Sequence, residues 1–421
     1  MTAPHDNRIA PAATPWTKRS LLTVTSLMLG PMAAVLATDI YVPSMPSMAQ
    51  EFGVPTARIQ ESLSLNLISF GLAHLLIGPL TDAIGRRIVL LGGLALFIAA
   101  SLMAANAEND TMFIVARLIQ GAAAAAPSVT VIVLIRELFD DAKALTMMGV
   151  YAGLMGTMPA IGPILGGLLH GLYGWHAGFI VVAGIGTAAL LSGALFVRDV
   201  ADRARVRIGP RNVAISYGRL LGNPPFLTCA VIGGLMFAGL YAFVTAAPFA
   251  LIEARGITPV AYGFYQGLAV TGYLVGAATM GVLASRITPQ RLLTIGLGGA
   301  LLGGALFLAL AESGVLDQVP ELVVLPVGMF VFGLSIVVAT VPILGFSFID
   351  GSNRGAAAAV LGGVQVLGGG LGAHAIRGFD ATEFRTMALA LAAAATLAAF
   401  TYLIGVARVA ARRQAEQERV S

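Results

Sequence analysis

Twelve long apolar runs divide the sequence, and each is about as long as a helix that crosses a lipid bilayer. A bilayer core takes about 20 apolar residues per helix. Only 11% of the 421 residues are charged, whereas a soluble domain typically needs about a quarter. The sequence therefore predicts an all-α integral membrane protein with twelve transmembrane helices. The runs are Leu21–Pro43, Ile59–Leu80, Ile88–Ala105, Met112–Ile135, Leu145–Leu169, Phe179–Val197, Phe226–Ile252, Gly263–Ala284, Leu292–Ala311, Leu322–Phe346, Ala356–Ile376 and Thr386–Val406.

A polar interval in the middle of the chain separates six runs from six. It carries six basic residues and is the longest polar stretch between runs. A weak repeat supports the division, because Gly78-Pro-Leu after the second run is echoed by Gly281-Val-Leu after the eighth. Parallel six-helix repeats are a known plan of membrane proteins, with a binding site at the midplane between the halves. We therefore predict a cytoplasmic tail, an N-terminal bundle, a cytoplasmic linker, a C-terminal bundle and a second cytoplasmic tail: residues 1–20, 21–197, 198–223, 224–406 and 407–421.

The basic residues predict the orientation of the chain in the membrane. If the N-terminus is cytoplasmic, 20 of the 25 Lys and Arg residues fall on the cytoplasmic side, four fall on the other side, and Arg117 lies inside a helix. This bias follows the positive-inside rule and predicts that both termini are cytoplasmic. The first 20 residues lack the short apolar core and cleavage site of a signal peptide, so we expect the first helix to be retained.

The same sequence argues against several classes of protein. No basic patch with interleaved aromatic residues is present, so we expect no nucleic-acid partner. The single cysteine, Cys229, lies in an apolar run and cannot form a metal cluster or a disulfide framework. Nucleophile–base pairs and nucleotide-binding loops are absent, and the loops between runs leave no room for a catalytic domain. We therefore expect a protein that is not an enzyme and that holds no cofactor and no metal.

A charged loop after the second run is the most specific motif. It reads Gly78-Pro-Leu-Thr-Asp82-Ala-Ile-Gly85-Arg86-Arg87. The glycines permit a tight turn, Asp82 suits an Arg partner or a helix N-terminus, and the arginines anchor the loop at the cytoplasmic surface. The motif resembles the signature loop between helices two and three of the major facilitator superfamily. The resemblance implies a latch that joins the two halves on the inside, with Arg136 and Glu137 as expected partners; a solvated turn with topogenic charges is the alternative.

The fourth run places a charge inside the membrane. Its segment Arg117-Leu-Ile-Gln120-Gly121 resembles the second motif of the same superfamily, and Arg117 and Gln120 share one helix face at 3.6 residues per turn. A charge in a membrane helix costs about 2.5–3.5 kcal/mol or more, so it normally faces a cavity or a partner. The resemblance implies that Arg117 is a cavity residue in proton coupling. The alternative is an arginine near the outer helix end that extends to the headgroups.

The fifth run is rich in glycine. Gly153 precedes the segment Gly162-Pro163-Ile-Leu-Gly166-Gly167, and small residues at this spacing form close-packing faces. The segment resembles the motif associated with antiporters of the superfamily, which favours export over uptake. The alternative is the generic packing of any glycine-rich membrane helix.

An acidic residue closes the first run. The segment Asp39-Ile-Tyr41-Val-Pro43 resembles the end of helix one in the Bcr/CflA-type drug–proton antiporters. A carboxylate in an apolar site takes up a proton more readily than one in water, because burial disfavours its charge. Asp39 is therefore the predicted site of proton and substrate exchange. The alternative is an acid at the outer helix end that caps the helix or pairs with a neighbouring loop.

Weaker signals concern polar residues in other runs. Asn66 belongs to a polar stripe on helix two that we expect to line the central pathway, whereas we interpret Glu61 as a solvated residue and His74 as a neutral packing residue. Helix eleven, dense in Ala and Gly, is expected to pack closely against helix two. The best candidates for cavity lining are Tyr41, Asn66, Gln120, Tyr241, Gln266 and Gln365.

Taken together, these resemblances imply a twelve-helix drug–proton antiporter of a bacterial inner membrane. The implied activity is the efflux of small amphipathic drugs or other toxic compounds by alternating access, driven by the proton gradient without a cofactor. An exporter of an endogenous metabolite or siderophore with the same fold is the alternative. The expected partners are a small-molecule substrate, protons and the lipid bilayer, and the sequence gives no sign of an obligate oligomer.

Overall fold

The computed structural model describes residues 18–197, 210–349 and 354–420, and within these ranges the chain is helical without a strand. Twelve helices in the described ranges are long and apolar enough to cross a membrane, as the sequence predicts, with α1 and α2 counting as one continuous span. The protein is therefore an all-α, multi-pass membrane protein. The helices are α1 Lys18–Asp39, α2 Met45–Phe52, α3 Thr56–Ile84, α4 Arg86–Ala105, α5 Asp110–Leu138, α6 Asp141–Tyr173, α7 His176–Phe196, α8 Pro210–Leu221, α9 Pro224–Pro248, α10 Pro259–Leu283, α11 Pro289–Glu312, α12 Val315–Gln318, α13 Val324–Phe346, α14 Arg354–Ala375 and α15 Phe384–Val420.

Helix boundaries differ from the predicted runs mainly at prolines. The first membrane helix ends at Asp39, and a 3₁₀ turn at Val42–Ser44 leads into α2. Proline lacks an N–H and disfavours the helical conformation of the residue before it, which explains a break beside Pro43. Similarly, α9 ends at Pro248 and continues as a π-helical turn over Phe249–Glu253.

The predicted linker and tails contain more helix than the sequence suggested. The linker holds α8, whose half-buried Tyr217 donates its hydroxyl hydrogen to the carbonyl oxygen of Leu75 at 2.6 Å. Burial raises the pKa of the Tyr217 hydroxyl, so this donor stays protonated. The last helix, α15, runs on to Val420, since its final turns are rich in the strong helix formers Ala, Arg, Gln and Glu. Residues 1–17 of the N-terminal tail and 198–209 of the linker lie outside the described residues.

Polar caps fix where several membrane helices begin. The side chain of Asn109 accepts a hydrogen bond from the backbone N–H of Met112 at 2.8 Å, and Thr258 accepts one from that of Ala261 at 3.2 Å. Such caps satisfy N–H groups that have no partner inside the helix. They fix the positions at which α5 and α10 begin relative to the loops before them.

The N-terminal and C-terminal bundles meet along two helix pairs, α3 with α14 and α6 with α10. Glycines allow the close approach: a Cβ added to Gly71 would lie 2.7 Å from the amide nitrogen of Leu367, and one added to Gly167 would lie 2.3 Å from the carbonyl oxygen of Pro259. Small residues at such contacts are the usual basis of helix association in membranes. The expected packing of helix eleven on helix two is thus confirmed, as the α3–α14 pair.

We call the end of the bundles with the Gly85 turn and α8 the linker side, and the opposite end, with α2 and Asn109, the distal side. On the distal side the bundles are joined directly. Gln60 Nε2 donates to the carbonyl oxygen of Thr245 at 3.3 Å, and Arg377 pairs with Glu61 at 3.3 Å. These contacts connect α3 to the C-terminal bundle at the end where the predicted orientation puts the periplasm.

Candidate functional site

The acid that closes α1 lies against the glycine motif of α6. Asp39 is 5% exposed. A Cβ added to Gly162 would lie 2.9 Å from the Asp39 Cβ, and one added to Gly166 would lie 1.8 Å from the carbonyl oxygen of Ile40. The two glycines therefore allow α6 to accommodate the backbone that carries the acid. Two of the motifs found in the sequence meet at this contact.

The other side of the same α6 segment faces the C-terminal bundle. Gly167 contacts the backbone of α10, and a Cβ added to Gly263 of α10 would lie 2.4 Å from the carbonyl oxygen of Pro163. The segment Gly162–Gly167 is thus in contact with α1 on one face and with α10 on another. Gly153, by contrast, has no atom within 4 Å of an added Cβ and takes no part in this packing.

Arg117 of α5 is fully buried rather than extended toward the distal surface. Its Nη1 donates to the carbonyl oxygen of Ala37 at 3.0 Å and to the Oε1 of Gln120. The guanidinium carbon lies 4.4 Å from the centroid of the Tyr41 ring, a cation–π arrangement. Its Nε and Nη2 atoms have no hydrogen-bond partner in the described residues. A buried guanidinium with two free donor nitrogens is costly, and such groups mark functional sites in membranes.

A hydrogen-bond network holds this arginine in place. Gln120 Nε2 donates to Ser101 Oγ at 2.7 Å, and Asn66 Nδ2 donates to the backbone carbonyl oxygen of Arg117 at 2.8 Å. The Tyr41 and Ser62 hydroxyl oxygens lie 2.9 Å apart. Three of the predicted lining residues, Tyr41, Asn66 and Gln120, therefore position Arg117.

The carboxylate of Asp39 is itself without a partner. Within the described ranges, no hydrogen bond and no ion pair within 4 Å joins it to another residue. It is nevertheless close enough for its charge to act on Arg117 and on the hydroxyls of Tyr241 and Tyr262. A buried ionised carboxylate without a partner is strongly disfavoured, so this site favours the protonated acid or a bound cation.

The C-terminal bundle contributes polar residues from α9, α10 and α14. Tyr241 packs on Gly369, and Gln365 packs on Gly233, with an added Cβ 2.7 and 2.9 Å from the respective side chains. Gln266 donates through Nε2 to the Tyr262 hydroxyl at 3.1 Å. Sequence reasoning missed Tyr262, which is fully buried. Its spacing of one helical turn from Gln266 is the signal that would have found it.

The signature loop forms a separate cluster on the linker side. Arg86 pairs with Asp82 at 3.6 Å and with Glu137, Arg87 Nη2 donates to the carbonyl oxygen of Ala194 at 2.7 Å, and Gly85 has a φ of +101°. These contacts all join elements of the N-terminal bundle. Arg136 has no ion pair in the described ranges, Gly78 has open space around it, and residues 350–353 before α14 lie outside those ranges. The latch between the halves stays a prediction.

Two weaker interpretations have different outcomes. His74 lies in the α3–α14 interface, with its Nε2 3.0 Å from a Cβ added to Gly362 and its ring 5.8 Å from that of Phe70, consistent with packing. The interpretation of Glu61 as a solvated residue is wrong, since it pairs with Arg58 at 2.9 Å and with Arg377 at 3.3 Å. No group of three or more His, Cys, Asp and Glu side chains in the described residues is placed to hold a metal.

Comparison with known proteins identifies the family. A family model described as the Major Facilitator Superfamily matches residues 27–373, most of the chain. The chain belongs to this superfamily. It is therefore a transporter and not an enzyme, and the twelve-helix fold predicted from the sequence is confirmed.

Among similar proteins, several carry names that refer to drug resistance. The multidrug resistance protein MdtM of Salmonella typhimurium is 29% identical over 57% of this chain and 58% of that protein. The chloramphenicol resistance protein of Pseudomonas aeruginosa is 28% identical over 79% of this chain and 80% of its own length. The multidrug resistance protein MdtL of Klebsiella pneumoniae is 28% identical over 83% of this chain and 87% of its own length. The match to MdtM thus spans somewhat more than half of that relative, whereas the other two are matched over most of their length.

Proposed function

We propose that this member of the Major Facilitator Superfamily exports small amphipathic drugs or toxic compounds in exchange for protons, by alternating access across a bacterial inner membrane. The observation that carries the proposal is the buried Asp39 carboxyl, which has no partner in the described residues and lies between Arg117 of α5 and the glycine face of α6. The printed names of relatives that match most of this chain support drugs as the cargo.

The exchange needs one acid that binds a proton or a cationic substrate, but not both. Asp39 suits this role because its surroundings disfavour a bare negative charge, so either a proton or a cation must neutralise it. Arg117 adds a fixed positive charge nearby. This charge favours release of the proton from Asp39 when the substrate binds. We propose that Asp39 receives its proton from the periplasmic side and releases it to the cytoplasm, with both termini cytoplasmic as the basic residues predict.

The driving force is sufficient in magnitude. One positive charge that moves inward across 100 mV releases about 2.3 kcal/mol. Since about 1.4 kcal/mol corresponds to a tenfold ratio, one proton exchanged for one neutral drug would sustain roughly a fifty-fold drug gradient per 100 mV. A drug of charge +1 exchanged for one proton moves no net charge, so the pH difference drives that exchange, at about tenfold in the drug gradient per pH unit. A drug gradient of this size can be maintained without ATP or a cofactor.

A proteoliposome assay tests the proposal. Proton flux is measured on addition of chloramphenicol or a lipophilic cation to the native chain, to Asp39→Asn and to Glu312→Gln. The last variant is the control, because it also replaces an acid by its amide, but at a half-exposed position. We expect drug-driven proton flux in the native chain and Glu312→Gln, and none in Asp39→Asn. Native rates in Asp39→Asn would contradict the role of Asp39. If the native chain gives no flux with any drug, and expression leaves the drug tolerance of an efflux-deficient strain unchanged, an endogenous metabolite is the better cargo.

A further inference from the structure

A chain of charged side chains crosses the distal side from one bundle to the other. Asp110 of α5 accepts from Arg58 at 2.6 Å, Arg58 pairs with Glu61 at 2.9 Å, and Glu61 pairs with Arg377 at 3.3 Å. Arg377 lies in the 3₁₀ turn that follows α14, and its Nη2 lies 2.9 Å from Nδ1 and 3.2 Å from Nε2 of His374, so whichever ring nitrogen is unprotonated is within reach. In this chain of contacts only the Glu61–Arg377 ion pair joins the two bundles.

We infer that the Glu61–Arg377 ion pair is a gate between the bundles and that protonation of His374 opens it. This inference goes beyond the proposed function, because it concerns how acid on the distal side changes the conformation, whatever the cargo. Loss of the Glu61–Arg377 ion pair would favour opening on the distal side, from which we propose that the proton enters.

The gate borders a cavity on the distal surface. The cavity has a volume of about 800 Å³ and is lined by the five charged or titratable residues of the chain of contacts, together with apolar residues such as Val54 and Ala375. His374 is exposed to the solution on this side. Arg377 and Glu61 are less accessible, with side chains 19% and 24% exposed, which limits the screening of their ion pair by salt.

The chemistry of histidine couples proton uptake to the gate. A neutral imidazole has one nitrogen that can accept a hydrogen bond from Arg377, whereas a protonated imidazole has two donors and no acceptor. Protonation therefore removes the contact that holds the guanidinium and puts a second positive charge beside it. His374 has no carboxylate within 4 Å in the described residues, so no new ion pair offsets this repulsion. Histidine is the side chain that ordinarily changes charge between pH 5 and 8.

The other charged groups near the gate in the described residues do not take the place of His374 as the group that responds to acid. Around His374 and Arg377 the cavity presents Arg58, Glu61 and Asp110 from α3 and α5, and these three already pair with one another. Helices α9 and α15 also pack against the 3₁₀ turn. Helix α9 carries no charged residue, the π-helical turn after it carries Glu253, which is exposed, and α15 carries at this end Arg385, which pairs with Glu312 at 2.7 Å.

The test measures the separation of the bundles on the distal side and needs neither drug nor proton flux. In a Cys229→Ala background, which removes the only cysteine, spin labels are placed at Glu108→Cys and Glu321→Cys. Both positions are exposed, and neither glutamate forms an ion pair in the described ranges. Asp39→Asn is included in every sample, so that titration of Asp39 cannot contribute. Distance distributions are recorded in nanodiscs at pH 7.5 and pH 5.5.

We expect acid to increase the population with the longer distance, by roughly two- to five-fold, the range for a partly exposed ion pair. His374→Gln, which keeps an acceptor for Arg377, should abolish the acid response and keep the short distance. Arg377→Gln should favour the long distance at both pH values. Glu61→Gln should do the same, and the double variant Glu61→Gln with Arg377→Gln should add nothing further, which is the signature of a shared contact.

Three results would overturn the inference. An acid response that persists in His374→Gln would exclude His374 as the sensor. A short distance at both pH values in Arg377→Gln and Glu61→Gln would exclude the ion pair as the gate. Additive effects in the double variant would show that the two residues act separately. Size-exclusion profiles and melting temperatures of each variant establish that the compared samples are folded.

Discussion

Asp39 and Gly162 meet at the α1–α6 interface, where a side chain on the glycine would place its first carbon 2.9 Å from the Cβ of the acid. The contact links the residue proposed to carry the proton to the helix that also packs against the C-terminal bundle. A movement of α6 relative to α10 would therefore directly change the packing around Asp39.

Substitution within the α6 motif should have graded effects. A Cβ at position 166 would lie 1.8 Å from the carbonyl oxygen of Ile40, a rigid backbone atom, so Gly166→Ala must push α1 and α6 apart. We expect loss of transport and a lower melting temperature, since overpacking costs about 1–3 kcal/mol. Gly162→Ala should be milder, and Gly153→Ala, in open space, should behave as the native chain. Equal transport by Gly166→Ala and Gly153→Ala would contradict this account.

Replacement of Arg117 by lysine should not preserve function. The guanidinium Nη1 donates to two acceptors, on Ala37 and Gln120, while the group also lies over the Tyr41 ring. The compact ammonium of lysine cannot reproduce this planar arrangement. We expect Arg117→Lys to reduce drug-driven proton flux by roughly tenfold or more, the loss of about 1.4 kcal/mol or more. Leu118→Ala, a neighbour that is 43% exposed, is the control and should transport normally.

The Tyr262 hydroxyl should influence the pH dependence of transport. The Tyr262 hydroxyl accepts from Gln266 and is close enough for the charge of Asp39 to act on it, while no hydrogen bond joins the two residues in the described ranges. Its hydrogen is therefore free to turn toward an ionised Asp39 and to stabilise that charge from the C-terminal bundle. Without it, protonation becomes easier, and we expect the transport profile of Tyr262→Phe to move to higher pH, at a stability cost of about 1 kcal/mol. Tyr265→Phe, on the same helix but only half-buried, serves as the control. An unchanged profile in Tyr262→Phe would exclude the hydroxyl from this role.

Much of the fold was predictable because the bilayer imposes it. In lipid the backbone must satisfy its own hydrogen bonds, so each run of about 20 apolar residues becomes a helix. The prolines account for most of the differences at helix ends, as at Pro43 and Pro248, where short 3₁₀ and π turns replace continuous helix. The extension of α15 to Val420 was missed because a membrane-length criterion ends the helix where its apolar residues end.

Contacts between distant parts of the chain were beyond local sequence patterns. Glu61 was interpreted as solvated because it lies at the outer end of its helix, whereas its partner Arg377 lies in the other half of the chain. Tyr262 escaped notice because its complete burial depends on how α10 packs in the fold, which the local sequence does not show. By contrast, the burial of Asp39 and Arg117 was predictable, since both charged residues lie inside apolar runs.

The loop on the linker side allows a matched comparison of two adjacent residues. Glu137 pairs with Arg86, which also reaches Asp82 at 3.6 Å, while Arg136 has no ion pair in the described ranges. If this cluster stabilises one conformation of the transporter, Glu137→Gln should lower the transport rate, whereas Arg136→Gln should leave it near the native value. The Arg86 and Glu137 side chains are 28% and 14% exposed, so we expect the loss of this partly exposed pair to cost about 1 kcal/mol, or up to about five-fold in rate. Transport rates in proteoliposomes at low and high salt provide the measurement. An equal effect of both substitutions would assign the loop a topogenic role only, and a loss of transport in Arg136→Gln alone would contradict the role given to Glu137.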